Sequence, residues 1–382
     1  MPRRLYFDAN ASTPLLPAAA EAVARVGTEA WGNPSSAHEE GRRARAALDT
    51  ARERVATSLG CRPREVVFTS GATEALHLAV LGAARARTSV GRRVVVSAVE
   101  HPAVLDAADR LAEEGYDVVR VGPRPDGGID PAAFLAAATP GTTVACLMAA
   151  NHETGAVFPV PAVAAALRTR GVVTVTDAAL APGLLDVSVD ALGADLIAFS
   201  GHKIGGPRGI GALFVRRRTR LVPVQRGGVQ EDRVRGGTEH VAGAAGFAAA
   251  LAHAVRTRAE RVERLTALRR RLLEGLLALP HTSLVGPAEG GLASTVNVAF
   301  DGCEGEALLV NLDLEGIAVS TGSACAVGGT EASPVLLAMG CSARRAASTL
   351  RFSVRDDVGE ADVDRVCAVV TGVVGRLRSM AR

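Results

Sequence analysis

The sequence predicts an α/β fold with a large domain, built on a mostly parallel mixed sheet flanked by helices, and a smaller α+β domain. Through about the first 250 residues, short β-branched runs alternate with Ala- and Leu-rich helical stretches, as they do in doubly wound sheets. Beyond that point the pattern changes to a long helix and a second, shorter set of strands. The 382 residues, 48% of them hydrophobic, also exceed the size at which a single core stops growing.

Seven short runs supply the predicted strands of the large sheet. Each run is rich in β-branched or aromatic residues and is short enough for a strand rather than a helix. Near-continuous apolar runs of this kind are typical of parallel strands that are covered on both faces. The runs are EVVFTS (65–70), RVVVSA (93–98), DVVRVG (117–122), TVACLMA (143–149), VVTVTDA (172–178), DLIAFS (195–200) and GALFVR (211–216).

The C-terminal third predicts the smaller domain. A long Arg-rich helix is expected after about residue 250, and a closing helix from about residue 359. Between them lie the strand candidates STVNVAF, GIAVSTG and TLRFSV. We therefore assign residues 13–250 to the large domain and residues 1–12 with 251–382 to the small domain.

Composition excludes several classes of function. The net charge is +3, and the 22% of charged residues mix both signs along the chain, which gives no basic surface for direct nucleic-acid binding. The N-terminus lacks the apolar core of a signal peptide, and no run of about 18 apolar residues exists to span a membrane. We therefore expect a cytoplasmic protein. The six cysteines show no CxxC spacing, so no metal site is predicted.

Lys203 is the single lysine among the 43 Lys and Arg residues. GC-rich codon usage explains arginine wherever only a solvated positive charge is needed. Arginine has no free primary amine and stays protonated, whereas lysine can lose its proton and condense with an aldehyde or ketone. A lysine that stands alone is therefore a candidate for carbonyl chemistry.

Polar residues follow three of the predicted strands. The turn 70–74 opens a helix whose backbone N–H groups suit a phosphate, although an ordinary N-cap explains it equally well. Asp177 ends a second strand, where a buried carboxylate needs a cation, the alternative being a helix cap or a surface aspartate. Residues 200–203 follow a third strand with a hydroxyl, an imidazole and an amine. Carboxyl ends of parallel strands meet at one edge, so the phosphate, pyridinium and Schiff base that pyridoxal 5′-phosphate (PLP) requires are provided together.

The segment SGHKIGGPRGIGALFV (200–215) resembles the PLP-lysine segment of cysteine desulfurases, a group within the class V aminotransferase family of PLP fold type I. The resemblance runs almost end to end, with matching order and spacing. The other similar stretches are YFDANASTP (6–14), GNPSSAHEEGRRARAAL (32–48), FTSGATEA (68–75), VEHPAVL (99–105), NHETGAVFPV (151–160), RGGTEH (235–240), EGEALL (304–309), STGSACAVGG (320–329) and TLRFSV (349–354).

The resemblance implies roles for individual residues. Lys203 would hold PLP as a Schiff base, Asp177 would pair with the pyridine nitrogen, and His101 would stack on the ring and move protons. Arg351 would bind the substrate carboxylate through a bidentate guanidinium, with Asn151 as a further substrate contact. The other implied cofactor contacts are Ala72, Thr73, Ser200 and His202 on the phosphate, His152 and position 180 near the ring, and Thr238 from a second subunit.

Cys325 is the implied catalytic cysteine. It lies in a stretch of small residues, about 320–334, that resembles the longer cysteine loop of the first desulfurase subgroup. Its thiolate would take the sulfur of L-cysteine, leaving alanine and an enzyme persulfide for a protein acceptor. The acceptor's pathway stays open between iron–sulfur assembly, tRNA thiolation, DNA modification and natural-product synthesis. Because Thr238 would reach the partner's cofactor, the resemblance also implies a homodimer.

Two positions depart from the family pattern. Leu180 stands where a glutamine usually donates to the phenolic oxygen of PLP, so one hydrogen bond to the cofactor is missing. His152 stands where the second asparagine of a pair is usual, and it is still able to donate. These departures lead to the hypothesis of an intact cofactor site with slow or partner-dependent turnover.

Two other functions remain open from the sequence. The first is another PLP enzyme, such as an aminotransferase, a lyase or a selenocysteine lyase, in which Cys325 carries no sulfur. The second is a weakly active PLP-binding scaffold of a sulfur-transfer assembly, with Leu180 as a sign of decay. The joint presence of Lys203, Asp177, His101, Cys325 and Arg351 argues against the scaffold.

Overall fold

The computed structural model describes residues 3–321 and 332–380. Cys325, the predicted sulfur carrier, lies outside the described residues. Within the two described ranges, no helix combines the length and apolar character that crossing a bilayer requires.

Strands and helices alternate through the first half of the chain. The strands are β1 (Leu5–Tyr6), β2 (Val66–Thr69), β3 (Arg93–Ser97), β4 (Asp117–Val121), β5 (Thr142–Cys146), β6 (Val173–Asp177), β7 (Leu196–Ser200), β8 (Gly211–Val215), β9 (Thr282–Leu284), β10 (Thr295–Phe300), β11 (Ile317–Ala318) and β12 (Thr349–Ser353). The α-helices are α1 (Pro17–Glu29), α2 (Glu39–Leu59), α3 (Ala72–Arg85), α4 (Pro102–Glu113), α5 (Pro131–Ala137), α6 (Val160–Thr169), α7 (Val189–Leu192), α8 (Val241–Leu277), α9 (Gly305–Leu314), α10 (Pro334–Ala338), α11 (Ala343–Ala347) and α12 (Glu360–Met380).

The seven predicted runs form one seven-stranded sheet with the order β2-β8-β7-β6-β5-β3-β4. Strands β3 to β7 pair in parallel, whereas β8 is antiparallel to both β7 and β2. The predicted mostly parallel mixed sheet flanked by helices is therefore confirmed. The central strands β5, β6 and β7 are buried at every residue, which explains their unbroken apolar sequences.

Alternate residues of these strands divide between two hydrophobic clusters. In β3, Val94 and Val96 pack with α3 and α4 on one face, while Val95 belongs to the cluster on the other face. The second cluster also contains buried residues of α1, α2, α6 and α8. Because successive side chains of a strand point to opposite faces, this division places a helical layer on each side of the sheet.

The C-terminal region contains a three-stranded antiparallel sheet with the order β12-β10-β9. The predicted strand GIAVSTG is much shorter than expected: only β11 forms, and it pairs in parallel with β1 in a separate two-stranded sheet. The long helix α8 starts at Val241, so it runs through the predicted boundary at residue 250. Its first half packs in the large-sheet cluster and its second half in the cluster of β10 and β12. The division into two domains stays a prediction.

Candidate active site

A cavity of about 620 Å³ lies where the carboxyl ends of β2, β6 and β7 meet the N-termini of α3 and α4. Its wall unites residues that the sequence places far apart. The predicted site residues in this wall are Ala72, Thr73, His101, His152, Asp177, Ser200, His202, Lys203 and Arg351. The cavity therefore brings the three predicted strand-end groups to one edge of the sheet, as the parallel topology requires.

Three predicted site residues of the described chain are not part of this wall: Asn151, Leu180 and Thr238. Asn151 is fully buried, and its amide is already engaged: Nδ2 donates to the Val99 carbonyl at 3.0 Å, and Oδ1 accepts from the backbone of Glu153 at 2.9 Å. Asn151 thus shapes the turn behind the cavity, and a direct substrate contact would require these bonds to break. Leu180 is half-buried beside Ala179, which does line the cavity, and Thr238 is exposed.

Lys203 is held by the segment that follows β1. Its Nζ donates to the carbonyl of Asn10 and, at 3.0 Å, to that of Ala11. The hydroxyl of Thr13 donates to the His202 carbonyl at 3.0 Å and accepts from the Gly205 amide at 2.7 Å. The lysine turn is therefore fixed against the N-terminal segment, and the amine lies within the cavity wall.

Asp177 ends β6 as a buried carboxylate, 9% exposed. Its Oδ1 accepts one hydrogen bond, from the Ala179 amide at 2.8 Å. Burial raises the pKa of Asp177, while His101 and Lys203 act in the opposite direction. A cationic ligand nitrogen at this position would stabilise the ionised form, because an opposite charge offsets the cost of burial.

His101 is the N-cap of α4, directly before Pro102. Its Nδ1 accepts from the Ala103 amide at 3.1 Å, so we assign the proton of the neutral ring to Nε2. Burial lowers the pKa of His101. The ring of His152 lies 5.7 Å from that of His101, centroid to centroid, and burial lowers its pKa as well. Both imidazoles are therefore neutral at neutral pH.

At the other end of the cavity, the first turn of α3 has backbone N–H groups without intrahelical partners, and no described side chain caps this helix. Behind it, a Cβ on Gly211 would lie 2.4 Å from the Phe199 carbonyl oxygen and 2.8 Å from Gly71, so only glycine lets β8 pass this close. His202 completes this end, and burial with the nearby positive charges lowers its pKa to about 4. A neutral imidazole and free N–H groups are donors that suit a phosphate.

Arg351 lies on β12 at the opposite wall and is 1% exposed. Its Nη2 donates to Asp8 Oδ1 at 2.6 Å, and its Nη1 donates to the His152 carbonyl at 3.3 Å. Its Nε is buried with no hydrogen-bond partner among the described residues. A buried guanidinium with a free N–H group suits an incoming carboxylate.

Sequence reasoning assigned no role to Asp8, Asn10, Glu100 or Arg208, although Asn10 and Arg208 line the cavity. Asp8 and Asn10 belong to YFDANASTP and Glu100 to VEHPAVL, which were recognised only as similar stretches. An acidic residue directly before the candidate histidine was the signal that could have drawn attention to Glu100.

These residues fit PLP. The buried carboxylate of Asp177, the amine of Lys203 and the N-terminus of α3 surround one cavity, and they correspond to the pyridine nitrogen, the aldehyde carbon and the phosphate of that cofactor.

The comparisons with known proteins agree with this geometry. Residues 5–366 match the family model of class V aminotransferases. The chain belongs to this family. It is 42% identical to an IscS-like cysteine desulfurase of Mycobacterium tuberculosis, with 98% of each chain covered. The chain is thus similar along nearly its whole length to a named cysteine desulfurase.

Two solved structures share the fold. A NifS-like protein superposes with a TM-score of 0.92 at 31% identity, covering 98% of this chain and all of its own. The structure of SspA in complex with cysteine superposes with a TM-score of 0.79 at 32% identity, covering 92% of this chain and 98% of its own.

Proposed function

We propose that this chain is a PLP-dependent cysteine desulfurase, which converts L-cysteine to L-alanine and an enzyme persulfide on Cys325. One observation carries the proposal: Lys203, Asp177, His101 and Arg351 line the same cavity. The similarity to named cysteine desulfurases along the whole chain supports the same reaction.

The cofactor site follows from the cavity wall. Lys203 is the attachment point, Asp177 the counter-ion of the pyridine nitrogen, and the first turn of α3 with Ser200 and His202 the phosphate site. When bound, PLP withdraws electrons from the α-carbon of an amino acid joined to it. His202, with its pKa lowered to about 4, stays neutral and donates a hydrogen bond rather than a charge.

Arg351 and His101 act on the substrate. The guanidinium of Arg351 binds the carboxylate of L-cysteine, which fixes one end of the molecule. With PLP bound, the amine of Lys203 would be the base for the α-proton, and His101 would donate a proton from Nε2. Since the Nδ1 of His101 caps α4, the ring keeps its orientation during proton transfer at Nε2.

Cys325 completes the reaction as the nucleophile. Its thiolate attacks the sulfur of the substrate, the carbon–sulfur bond breaks, and the carbon gains a proton to give alanine. The described residues on either side support this role. Ser320 exchanges two backbone hydrogen bonds with Arg351, and the Ser333 hydroxyl donates to Glu153, next to His152, at 2.6 Å. Ser320 and Ser333, which flank Cys325 in the sequence, therefore both lie near residues of the cavity wall.

The decisive test uses radiolabelled L-cysteine and measures the ratio of alanine released to sulfur bound by the protein. The wild-type protein should release one alanine per sulfur bound, and Cys325→Ser should form no protein persulfide. Cys341→Ser, at a half-buried free cysteine, is the matched control and should behave as wild type. Pyruvate in place of alanine, or persulfide formation by Cys325→Ser, would contradict the proposal.

The proposal includes a homodimer in which Thr238 reaches the partner's cofactor. Its support is that Thr238 is exposed and lies outside the cavity wall of its own chain. Sedimentation should show a dimer, and Thr238→Ala should weaken PLP retention. An active, PLP-loaded monomer would refute this part alone. The sulfur acceptor is proposed to be a protein, without a choice among pathways.

A further inference from the structure

Asp8 is half-buried and forms an ion pair with Arg351, the proposed carboxylate-binding residue, which is itself buried. Its Oδ1 lies 2.6 Å from Arg351 Nη2, and the two residues are 343 positions apart in the sequence. Asp8 is not part of the cavity wall, whereas Arg351 is. The carboxylate accepts from one guanidinium nitrogen, Nη2, while Nη1 donates to the His152 carbonyl at 3.3 Å. Two contacts therefore fix the plane of the guanidinium.

The segment that contains Asp8 also contacts the other functional end of the cavity. The Asn10 amide donates to the His152 carbonyl at 2.9 Å and to Thr295 Oγ1 at 3.0 Å. The carbonyls of Asn10 and Ala11 accept from Lys203 Nζ. Residues 8–11 thus link the group that would hold the carboxylate with the group that would condense with the amine.

We propose that Asp8 is a positioning residue that orients the Arg351 guanidinium for the carboxylate of the amino-acid substrate. The inference rests on the proposed function, since it assigns Arg351 to the substrate carboxylate. Asp8 touches neither substrate nor cofactor in this account and acts only through Arg351.

Two effects of removing the Asp8 charge oppose each other. A guanidinium without its counter-ion attracts an anionic substrate more strongly. The same change leaves a buried cation uncompensated, and a long arginine side chain then leaves the one orientation that suits a bidentate carboxylate. We expect the loss of orientation to dominate, because the remaining guanidinium contact among the described residues is the one from Nη1 to a neutral carbonyl at 3.3 Å.

The test compares Asp8→Asn with wild type in the PLP-loaded dimeric protein. The KM for L-cysteine should rise about tenfold, the size expected from one charge-assisted hydrogen bond, with kcat changed less than about threefold. The dissociation constant for the product L-alanine, followed by visible absorption, should rise in parallel. PLP content and the pH titration of the cofactor's absorption should stay unchanged, which a general structural defect would not allow.

Asp313→Asn is the matched control, since Asp313 pairs with Arg4 at the surface, and its KM should equal that of wild type. An unchanged or lowered KM in Asp8→Asn overturns the proposal. If Asp8→Asn yields no folded protein, Asp8→Glu decides by the same criterion, because it keeps the charge and displaces it. Failure of the proposed function is distinguishable: wild type would then release no alanine, while the L-alanine binding comparison would still report on Asp8.

Discussion

The two ends of the cavity differ in how their residues are assembled; we call them the cofactor end and the carboxylate end after their proposed ligands. At the cofactor end, Asp177 and Lys203 stand at or just after the ends of neighbouring strands, so the parallel sheet alone brings them together. At the carboxylate end, Arg351 depends on Asp8 and on the His152 carbonyl, which come from distant parts of the chain. The topology of the sheet therefore assembles the first end, whereas contacts between residues far apart in the sequence assemble the second.

The largest effect should come from Asp177→Asn, at the cofactor end. The amide removes the charge that offsets a protonated pyridine nitrogen, so kcat should fall by about 10²–10³-fold with little change in KM. Alanine release and the visible spectrum of the cofactor measure this. Asp190→Asn, in the first turn of the short helix α7, is the control and should be neutral. A fall confined to KM would place Asp177 at the wrong end of the cavity.

Arg351→Lys should show the complementary pattern at the carboxylate end. Lysine cannot form the bidentate contact, so kcat/KM for L-cysteine should fall roughly 10–100-fold through KM. The cofactor spectrum should remain that of wild type. Arg355→Lys, whose guanidinium stacks on Tyr6 and pairs with Asp357, controls for the loss of an arginine nearby. An altered cofactor spectrum in Arg351→Lys would remove the distinction between the two ends.

Glu100→Gln, directly before His101, should change how the stability of the protein depends on pH. Glu100 is buried, accepts from the Met148 amide at 2.8 Å, and has its pKa raised to about 8 by burial. The folded protein thus keeps a proton that the unfolded chain loses, so stability falls as pH rises from about 4.5 towards 8. The glutamine variant should match wild type in Tm near pH 5 and exceed it by several degrees near pH 9.

The control for this experiment is Glu260→Gln, at an exposed position of α8, which should reproduce the wild-type pH profile. An equal loss of Tm with pH in Glu100→Gln and wild type would mean that Glu100 is ionised in the folded protein.

Leu180→Gln should have the smallest effect. The new amide would donate to the phenolic oxygen of PLP and favour its ionised form, so the midpoint of the cofactor's pH titration should move down. Sulfide release should rise modestly if the missing bond limits turnover. The control is Leu277→Gln, because Leu277 is exposed at the surface. Leu184 is buried, so Leu184→Gln would be unsuitable. If neither the cofactor's pH titration nor the rate of sulfide release changes, the missing hydrogen bond at position 180 does not limit turnover.

The sequence was sufficient for the large sheet and for the placement of Asp177 and Lys203 at one edge of it. The seven runs became β2 to β8 because strand signals are local, and the strand-end rule then located Asp177 and Lys203. It was insufficient where pairing is long-range. GIAVSTG became the short β11 because its partner is the two-residue β1, and α8 began at Val241 because packing against α1 and α2 extends it. Asp8 looked like an ordinary N-terminal acid, and only the fold places it against Arg351.

Lys203 is the proposed attachment point of the cofactor. The chain offers a direct measurement, since Lys203 is its only lysine. The protein loaded with PLP should be reduced with borohydride, digested and mapped by mass spectrometry. We expect one pyridoxyl group per chain, on the peptide that contains Lys203. A protein that binds PLP and carries the group elsewhere, or that carries none after reduction, would contradict it.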